Sequence, residues 1–412
     1  MYSKASTFNR CDIYLVILIA SLALGGIGGA LTPVRLLTIL FFPAFTLRYE
    51  YSKHYLKPYL YAFAVFYLYA LLSMIWTPDK TEGMKELIYY PIHFLLFLET
   101  ITFGRFARQP LTSVSVGWLI AVFITLPIAG WEYITDHHLS TSRYGSDGVK
   151  MANLGTIRVQ QHFAAATFTN MNSYVVFLCY ALPFLFYGFV RSRIQKLRKN
   201  YYIFAILLSA LCVMFNASRG GFLTLVLMGL IYMVVSAKML NKLWFIAVFF
   251  AGLILVTMFA DSMLAIIQFR ANSDNLLQGE SRLVIWNNAW ETFKPTLGLG
   301  VGIGGMTKAM SSVTKGITAT HNIFFEILLQ YGVIFFGGFI YYLIQLSKKA
   351  LLVNIKVIKL VLLLALIPMP VYLIINSGYL LDPALYVLFA CITVFIDYER
   401  TQLLHKFIRR IV

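Results

Sequence analysis

Three side chains in this sequence combine type and setting in a way that suits chemistry on an anion. Arg219 lies in "FNASRGGFLTLV" (215–226), Arg282 in "SRLVIWNNAWETF" (281–293) and His321 in "ATHNIFFEILLQYG" (319–332). Each stands where a polar stretch meets an apolar run. Ser218 can cap the helix that starts beside Arg219, so the guanidinium sits by unpaired N–H groups at the positive end of a helix dipole. Arg282 opens an amphipathic segment, where a cation opposes the dipole by about 0.3 to 1 kcal/mol; an external anion explains it better than helix stability does. His321 is close to a helix N-terminus and to arginines, which favours a neutral imidazole able to accept a proton. Two guanidiniums binding a diphosphate and a base taking a proton from a hydroxyl are what displacement of a polyprenyl diphosphate from a sugar requires. That leaving group is a weak base, so it needs charge stabilisation and not protonation.

Each residue has a plainer reading. Arg219 alone is equally an arginine snorkelling to lipid headgroups. Arg282 alone is a solvated surface cation, and a lone histidine at a span end is commonly a structural hydrogen-bonding group. Asn322 and Glu326 are candidates to orient His321, although Glu326 points away from the stripe that His321, Phe325, Leu328 and Gly332 form at about 100° per residue. On that stripe Gly332 allows a neighbouring helix to pass under the imidazole. No Asp-x-Asp pair occurs, so a nucleotide-sugar and divalent-metal route has no support, and neither metal nor cofactor is expected.

The elements that hold these residues follow from composition. The chain has 412 residues, 59% of them hydrophobic and 12% charged, with a mean hydropathy of +0.75. These values exclude a water-soluble globule of this length and define an all-α polytopic membrane protein. Apolar runs of roughly span length occur near 12–30, 31–46, 59–76, 86–101, 114–131, 172–190, 201–217, 220–236, 243–260, 321–345, 354–375 and 380–397, giving about 12 transmembrane helices. The first run lacks a cleavage site and leads straight into the second, so it reads as a retained helix. Cys11, Cys179, Cys212 and Cys391 share no spacing that suggests a disulfide framework or a metal site.

The net charge of +17 would suit nucleic acid, but 22 of the 34 lysines and arginines fall on one side when the loops alternate from a cytoplasmic N-terminus. That asymmetry sets topology, places both termini in the cytoplasm and leaves nucleic acid out of the expected partners; membrane lipids remain. The basic residues left on the outer side include Arg35, Lys85, Arg143, Arg158, Arg219, Arg282 and Lys294. Most lie in two long outer loops, giving the organisation 1–131 N-terminal helices, 132–171 first long loop, 172–260 helices, 261–320 large loop and 321–412 C-terminal helices. Within the large loop Leu283, Trp286, Ala289, Trp290 and Phe293 recur at helical spacing, with Ser281 as a possible cap, which predicts a short amphipathic helix on the membrane surface. "PTLGLGVGIGG" (295–305) follows no strand and reads as a tight loop with close backbone approach, with a phosphate cradle the alternative. Arg143, Arg158 and "WEYITDHH" (131–138) could line an acceptor groove, with solvated loop residues the default.

In order, "ASRGG" (217–221), "SRLVIWNNAW" with "PTLGLGVGIGG" (281–305) and "THNIFFEILLQYG" (320–332) resemble the O-antigen ligase and O-antigen polymerase superfamily, over roughly residues 170–345. "FTNMNSY" (168–174) departs from similar proteins, which often carry proline between the two asparagines. The resemblance implies a metal-independent, inverting glycosyltransferase of GT-C-like architecture in a bacterial inner membrane. It implies a large periplasmic loop with short amphipathic helices and a periplasmic active site that takes a glycan en bloc from undecaprenyl diphosphate. By position, Arg219 and Arg282 would bind the donor diphosphate and His321 would be the base, with Ser218, Asn322 and Trp286 as neighbouring binding residues. The acceptor would be another lipid-linked glycan, as in a polymerase, or lipid A core or protein, as in a ligase; modest outer loops favour the polymerase. Contact with other polysaccharide assembly proteins fits either. A transporter of lipid-linked glycans is the competing class, but no internal repeat with matched broken helices is evident.

Overall fold

The computed structural model describes residues 8–142, 163–192, 196–216, 218–235, 282–314 and 318–411. Ser281, Arg143 and Arg158, and the apolar run 243–260, lie outside the described residues. Regular structure among the described residues is helical: α1 (Arg10–Ser21), α2 (Pro33–Ser73), α3 (Lys80–Phe106), α4 (Pro110–Thr135), α5 (Met171–Arg191), α6 (Lys196–Phe215), α7 (Arg219–Val235), α8 (Arg282–Phe293), α9 (Met306–Val313), α10 (Ile323–Leu351), α11 (Lys356–Leu366) and α12 (Pro383–Ile411). Six are long and apolar enough to cross a membrane: α2, α3, α4, α5, residues 198–215 of α6, and α10.

Two expected spans, 31–46 and 59–76, fall in the single helical stretch α2, and its neighbours show how. Its first part follows α3 in the same direction, with Arg35 against His93 and Phe41 against Phe103. Its second part follows α3 in the opposite direction, with Arg105 over Tyr55, Phe63 stacked on Phe94 and Tyr67 bonded to the Leu87 carbonyl. The chain therefore reverses between Phe41 and Tyr55. Pro43 and Pro58 lie inside the helix, where each removes an N–H and crowds the preceding turn.

The expected span 354–375 is not one helix. α11 stops at Leu366, and "IPMP" (367–370) supplies two prolines that cannot donate to a continuing ladder, leaving a single turn at Met369–Tyr372 and then irregular chain. Irregular backbone inside a helical bundle must find its hydrogen bonds within the protein, and this segment does so at the candidate site below. The first run is also shorter than expected: α1 ends at Ser21 and passes through a short 3-10 turn. Asn9 and Asp12 form a reciprocal cap there, and Asp12 also accepts the N–H of Gln109 at 2.9 Å, tying α1 to the start of α4.

Gly332 breaks α10 with φ 76° and ψ −173°. It does not serve the expected close approach of another helix. The glycine loop after α8 docks there instead: Val301 N–H donates to the Leu329 carbonyl at 2.7 Å, Gly302 to Gln330 at 3.0 Å, and Val333 to Gly298 at 2.9 Å. A Cβ on Gly332 would lie 2.1 Å from the Gly298 oxygen. Gly332→Ala is accordingly expected to destabilise the protein by about 3 kcal/mol or more, from a backbone region open essentially to glycine plus a backbone clash. Thermal unfolding of the detergent-purified protein checks this, and an unchanged melting temperature would contradict it.

Candidate functional site

The site is built where α7, α8 and α10 begin. At α7 the Ser218 hydroxyl accepts the Gly221 N–H at 3.3 Å and its carbonyl accepts Phe222 at 2.8 Å, so Ser218 caps the helix as its type predicts. Arg219, in the first turn, is exposed. Gly220 beside it leaves only 2.7 Å between a virtual Cβ and the Ile375 side chain, so α7 starts hard against the irregular segment that follows α11.

Arg282 reaches the same segment. As the first residue of α8 it donates from Nη2 to the Ile375 carbonyl at 3.0 Å, and from Nη1 to the Ile374 carbonyl. Burial lowers its guanidinium pKa, the Tyr379 phenol pushes it up, and the charge of Arg219 lowers it again. The charge of Arg219 thus acts on Arg282. Among the described residues neither forms an ion pair, and the anchors of Arg282 are neutral carbonyls. A guanidinium held by a carboxylate would have its charge largely cancelled; held by carbonyls it is fixed in place and stays cationic.

Other basic residues expected on the outer side are engaged elsewhere. Lys85 pairs with Glu82 at 2.8 Å and Lys294 with Glu291 at 2.6 Å. Arg35 is buried, donating to His93 Nε2 at 3.0 Å and lying 4.0 Å over the Tyr89 ring. It is a packing residue, not an outward cation.

His321 precedes α10 instead of opening it. Its backbone is left-handed, φ 49°, and α10 begins at Ile323 with Asn322 as cap, the Asn322 Oδ1 accepting Phe324 N–H at 2.9 Å. The helical stripe expected to run from His321 to Gly332 therefore does not include the imidazole. Two tethers fix its position. Trp286 of α8 donates to the Thr320 carbonyl at 3.0 Å and stacks on Phe325 with centroids 6.0 Å apart, while Ile323 N–H donates to the Leu373 carbonyl at 3.1 Å. Arg282 and His321 thus flank one stretch, Leu373 to Ile375.

The expected amphipathic helix is present, but its buried face is Ile285, Ala289, Thr292 and Phe293; Leu283 and Trp290 are exposed. The glycine loop is committed to the fold over most of its length. From Leu299 to Gly305 each N–H already has a protein acceptor: Thr296 carbonyl, Thr296 Oγ1, Leu329, Gln330, Ser73 Oγ, Glu86 and Gly302 in turn. Glu326 does not orient His321; its carboxylate accepts Gly378 N–H at 2.6 Å and Tyr379 N–H at 3.0 Å. Asn170 caps α5 through Ser173 N–H at 2.9 Å, which gives that asparagine a role without the proline often seen beside it.

Sequence reasoning missed the segment Tyr372–Tyr379, which collects Arg282, Ile323 and Glu326. A signal was present: "IPMPVYLIINSGYLLDP" (367–383) places prolines, asparagine and glycine inside an apolar run.

The fold is that of a helical membrane protein in which Arg219, Arg282 and His321 stand near the starts of three helices, the two arginines without ion pairs among the described residues. Residues 204–343 match the family model described as O-Antigen ligase, and Arg219, Arg282 and His321 all fall within the matched stretch. The chain is also 27% identical over 298 residues to a Bacillus subtilis (strain 168) protein described as "Teichuronic acid biosynthesis protein TuaE"; the alignment covers 68% of this chain and 57% of that relative, so it spans less than two thirds of the relative's length. Over the matched stretch the chain is similar to that family.

Proposed function

We propose that the protein is a membrane glycosyltransferase that moves a glycan en bloc from undecaprenyl diphosphate to an acceptor hydroxyl at the extracytoplasmic, periplasmic face, in surface polysaccharide assembly. The observation that carries this reading is the pair Arg219 and Arg282, at the starts of two helices that both meet Ile375 and without ion-pair partners among the described residues. Like charges held together in this way favour an anion between them, and a diphosphate supplies one. In the transition state the bond from the anomeric carbon to the diphosphate oxygen lengthens and negative charge grows on that oxygen. Fixed guanidiniums stabilise it without reorganising. His321 takes the proton of the attacking hydroxyl, and attack from the face opposite the leaving group inverts the anomeric centre. Ser218, Asn322 and Trp286 support the seat by capping α7, capping α10 and tying α8 to Thr320. No metal ion enters this scheme, because the arginines carry the charge that a divalent cation would otherwise neutralise.

For the acceptor we favour a second lipid-linked glycan, which makes the enzyme a polymerase. The relative named for teichuronic acid biosynthesis agrees with a role in building a polysaccharide. Transfer to lipid A core, or to protein, is the alternative. Purified protein given lipid-linked repeat units alone should produce a ladder of lengthening products on a gel. A requirement for added lipid A core before any product forms would replace the polymerase reading with the ligase one.

A further inference from the structure

Arg282 can bind an anion in a fixed place only if the two carbonyls that hold it are themselves fixed, and those carbonyls lie in irregular chain. The Tyr379 side chain is 1% exposed, and its hydroxyl makes every bond a phenol can. It accepts the N–H of Ile375 at 3.1 Å and of Asn376 at 2.9 Å, and it donates to the Tyr372 carbonyl at 2.7 Å. These bonds close Tyr372–Asn376 into a turn. With its N–H groups drawn to the hydroxyl, the turn presents the Ile374 and Ile375 carbonyls to Arg282. The other end is locked as well: Glu326, one turn into α10, accepts the N–H groups of Gly378 and Tyr379. Leu373 holds Ile323, and Asn376 Nδ2 donates to Ser173 Oγ at the start of α5 at 2.9 Å. One hydroxyl is therefore the common reference for the start of α10 and for the guanidinium of Arg282.

We infer that Tyr379 is a positioning residue for anion binding, setting the Ile374 and Ile375 carbonyls that aim Arg282 at the donor diphosphate. This rests on the reading of Arg282 as a diphosphate ligand. On diphosphate affinity Tyr379 acts through Arg282, so that effect must vanish once Arg282 is gone. Loss of general stability would not behave so.

The test is a double-mutant cycle on the full-length protein in detergent, reading affinity for a short-chain polyprenyl diphosphate. Tyr379→Phe keeps the ring and deletes the hydroxyl; it should weaken binding about tenfold, the scale of one or two lost positioning bonds. In an Arg282→Ala background the same change should alter binding less than about twofold. An equal loss in both backgrounds makes Tyr379 a general structural residue and overturns the inference, as does wild-type affinity in Tyr379→Phe. Wild-type affinity in Arg282→Ala alone is a separate result: it removes the diphosphate reading and the inference with it. Should Tyr379→Phe fail to accumulate, Glu326→Gln, which keeps one acceptor oxygen for the Gly378 and Tyr379 N–H groups, runs through the same cycle with the same outcomes.

Discussion

Arg282→Ala should lower glycan transfer by about 10²- to 10³-fold, the loss seen when a single preorganised donor to a developing negative charge is removed. The reason lies in how the side chain is held. Its anchors are the Ile374 and Ile375 carbonyls, so the guanidinium is immobilised with its charge intact, within the field of Arg219. Alanine removes the charge and leaves two carbonyls without that donor. Each lost hydrogen bond is a modest term, so the fold should lose about 1 to 3 kcal/mol. Arg282→Lys should recover a minor part of the rate, since an ammonium keeps the charge but not the fork that engages two carbonyls and an anion together. The measurement is initial rate with purified lipid-linked donor, alongside expression level and melting temperature. Near-normal polymer or ligated glycan from Arg282→Ala would remove the diphosphate seat from the mechanism.

The second large effect is at His321. Loss of a general base typically costs about 10²- to 10⁴-fold, and donor binding should survive because the arginines supply it. The choice of variant matters. His321 has φ 49°, a conformation that asparagine tolerates and most side chains resist. His321→Asn therefore deletes the imidazole while keeping the backbone that leads into the Asn322 cap, whereas alanine would add strain of about 1 to 2 kcal/mol and blur the result. The expected outcome for His321→Asn is a collapsed transfer rate with donor affinity within about threefold of the parent protein. A parallel loss of both quantities would identify the histidine as a hydrogen-bonding strut between Thr320 and Ile323.

The local structure around the candidate site is partly legible in the sequence. A polar residue beside an apolar run is read from composition alone, so Arg219, Arg282 and His321 are candidates by type and setting. Ser218 as a cap needs only local geometry, and so does α8, whose first residue is Arg282. The two apolar runs 31–46 and 59–76 fall instead in one helical stretch, α2, whose halves take opposite courses along α3. Membrane spans are apolar on most faces, however, so periodicity says little about how a helix is rotated or what it touches. For this reason the stripe drawn from His321 to Gly332 failed: it assumed helix where the backbone is left-handed at one end and broken at the other.

What the amino-acid sequence determined by itself is the membrane-spanning helical class, the order of the cationic and histidine residues, and the local starts of the helices that carry them. Each of these depends on neighbours within a few residues, or on the bulk preference of apolar runs for lipid. Only the tertiary structure decided that Arg282 is held by carbonyls, that the N–H groups of the glycine loop from Leu299 to Gly305 are already taken, and that Glu326 and Tyr379 brace the segment between α11 and α12. Those outcomes follow from irregular backbone inside a bundle, whose unpaired groups must find partners wherever the fold brings them, tens to hundreds of residues away.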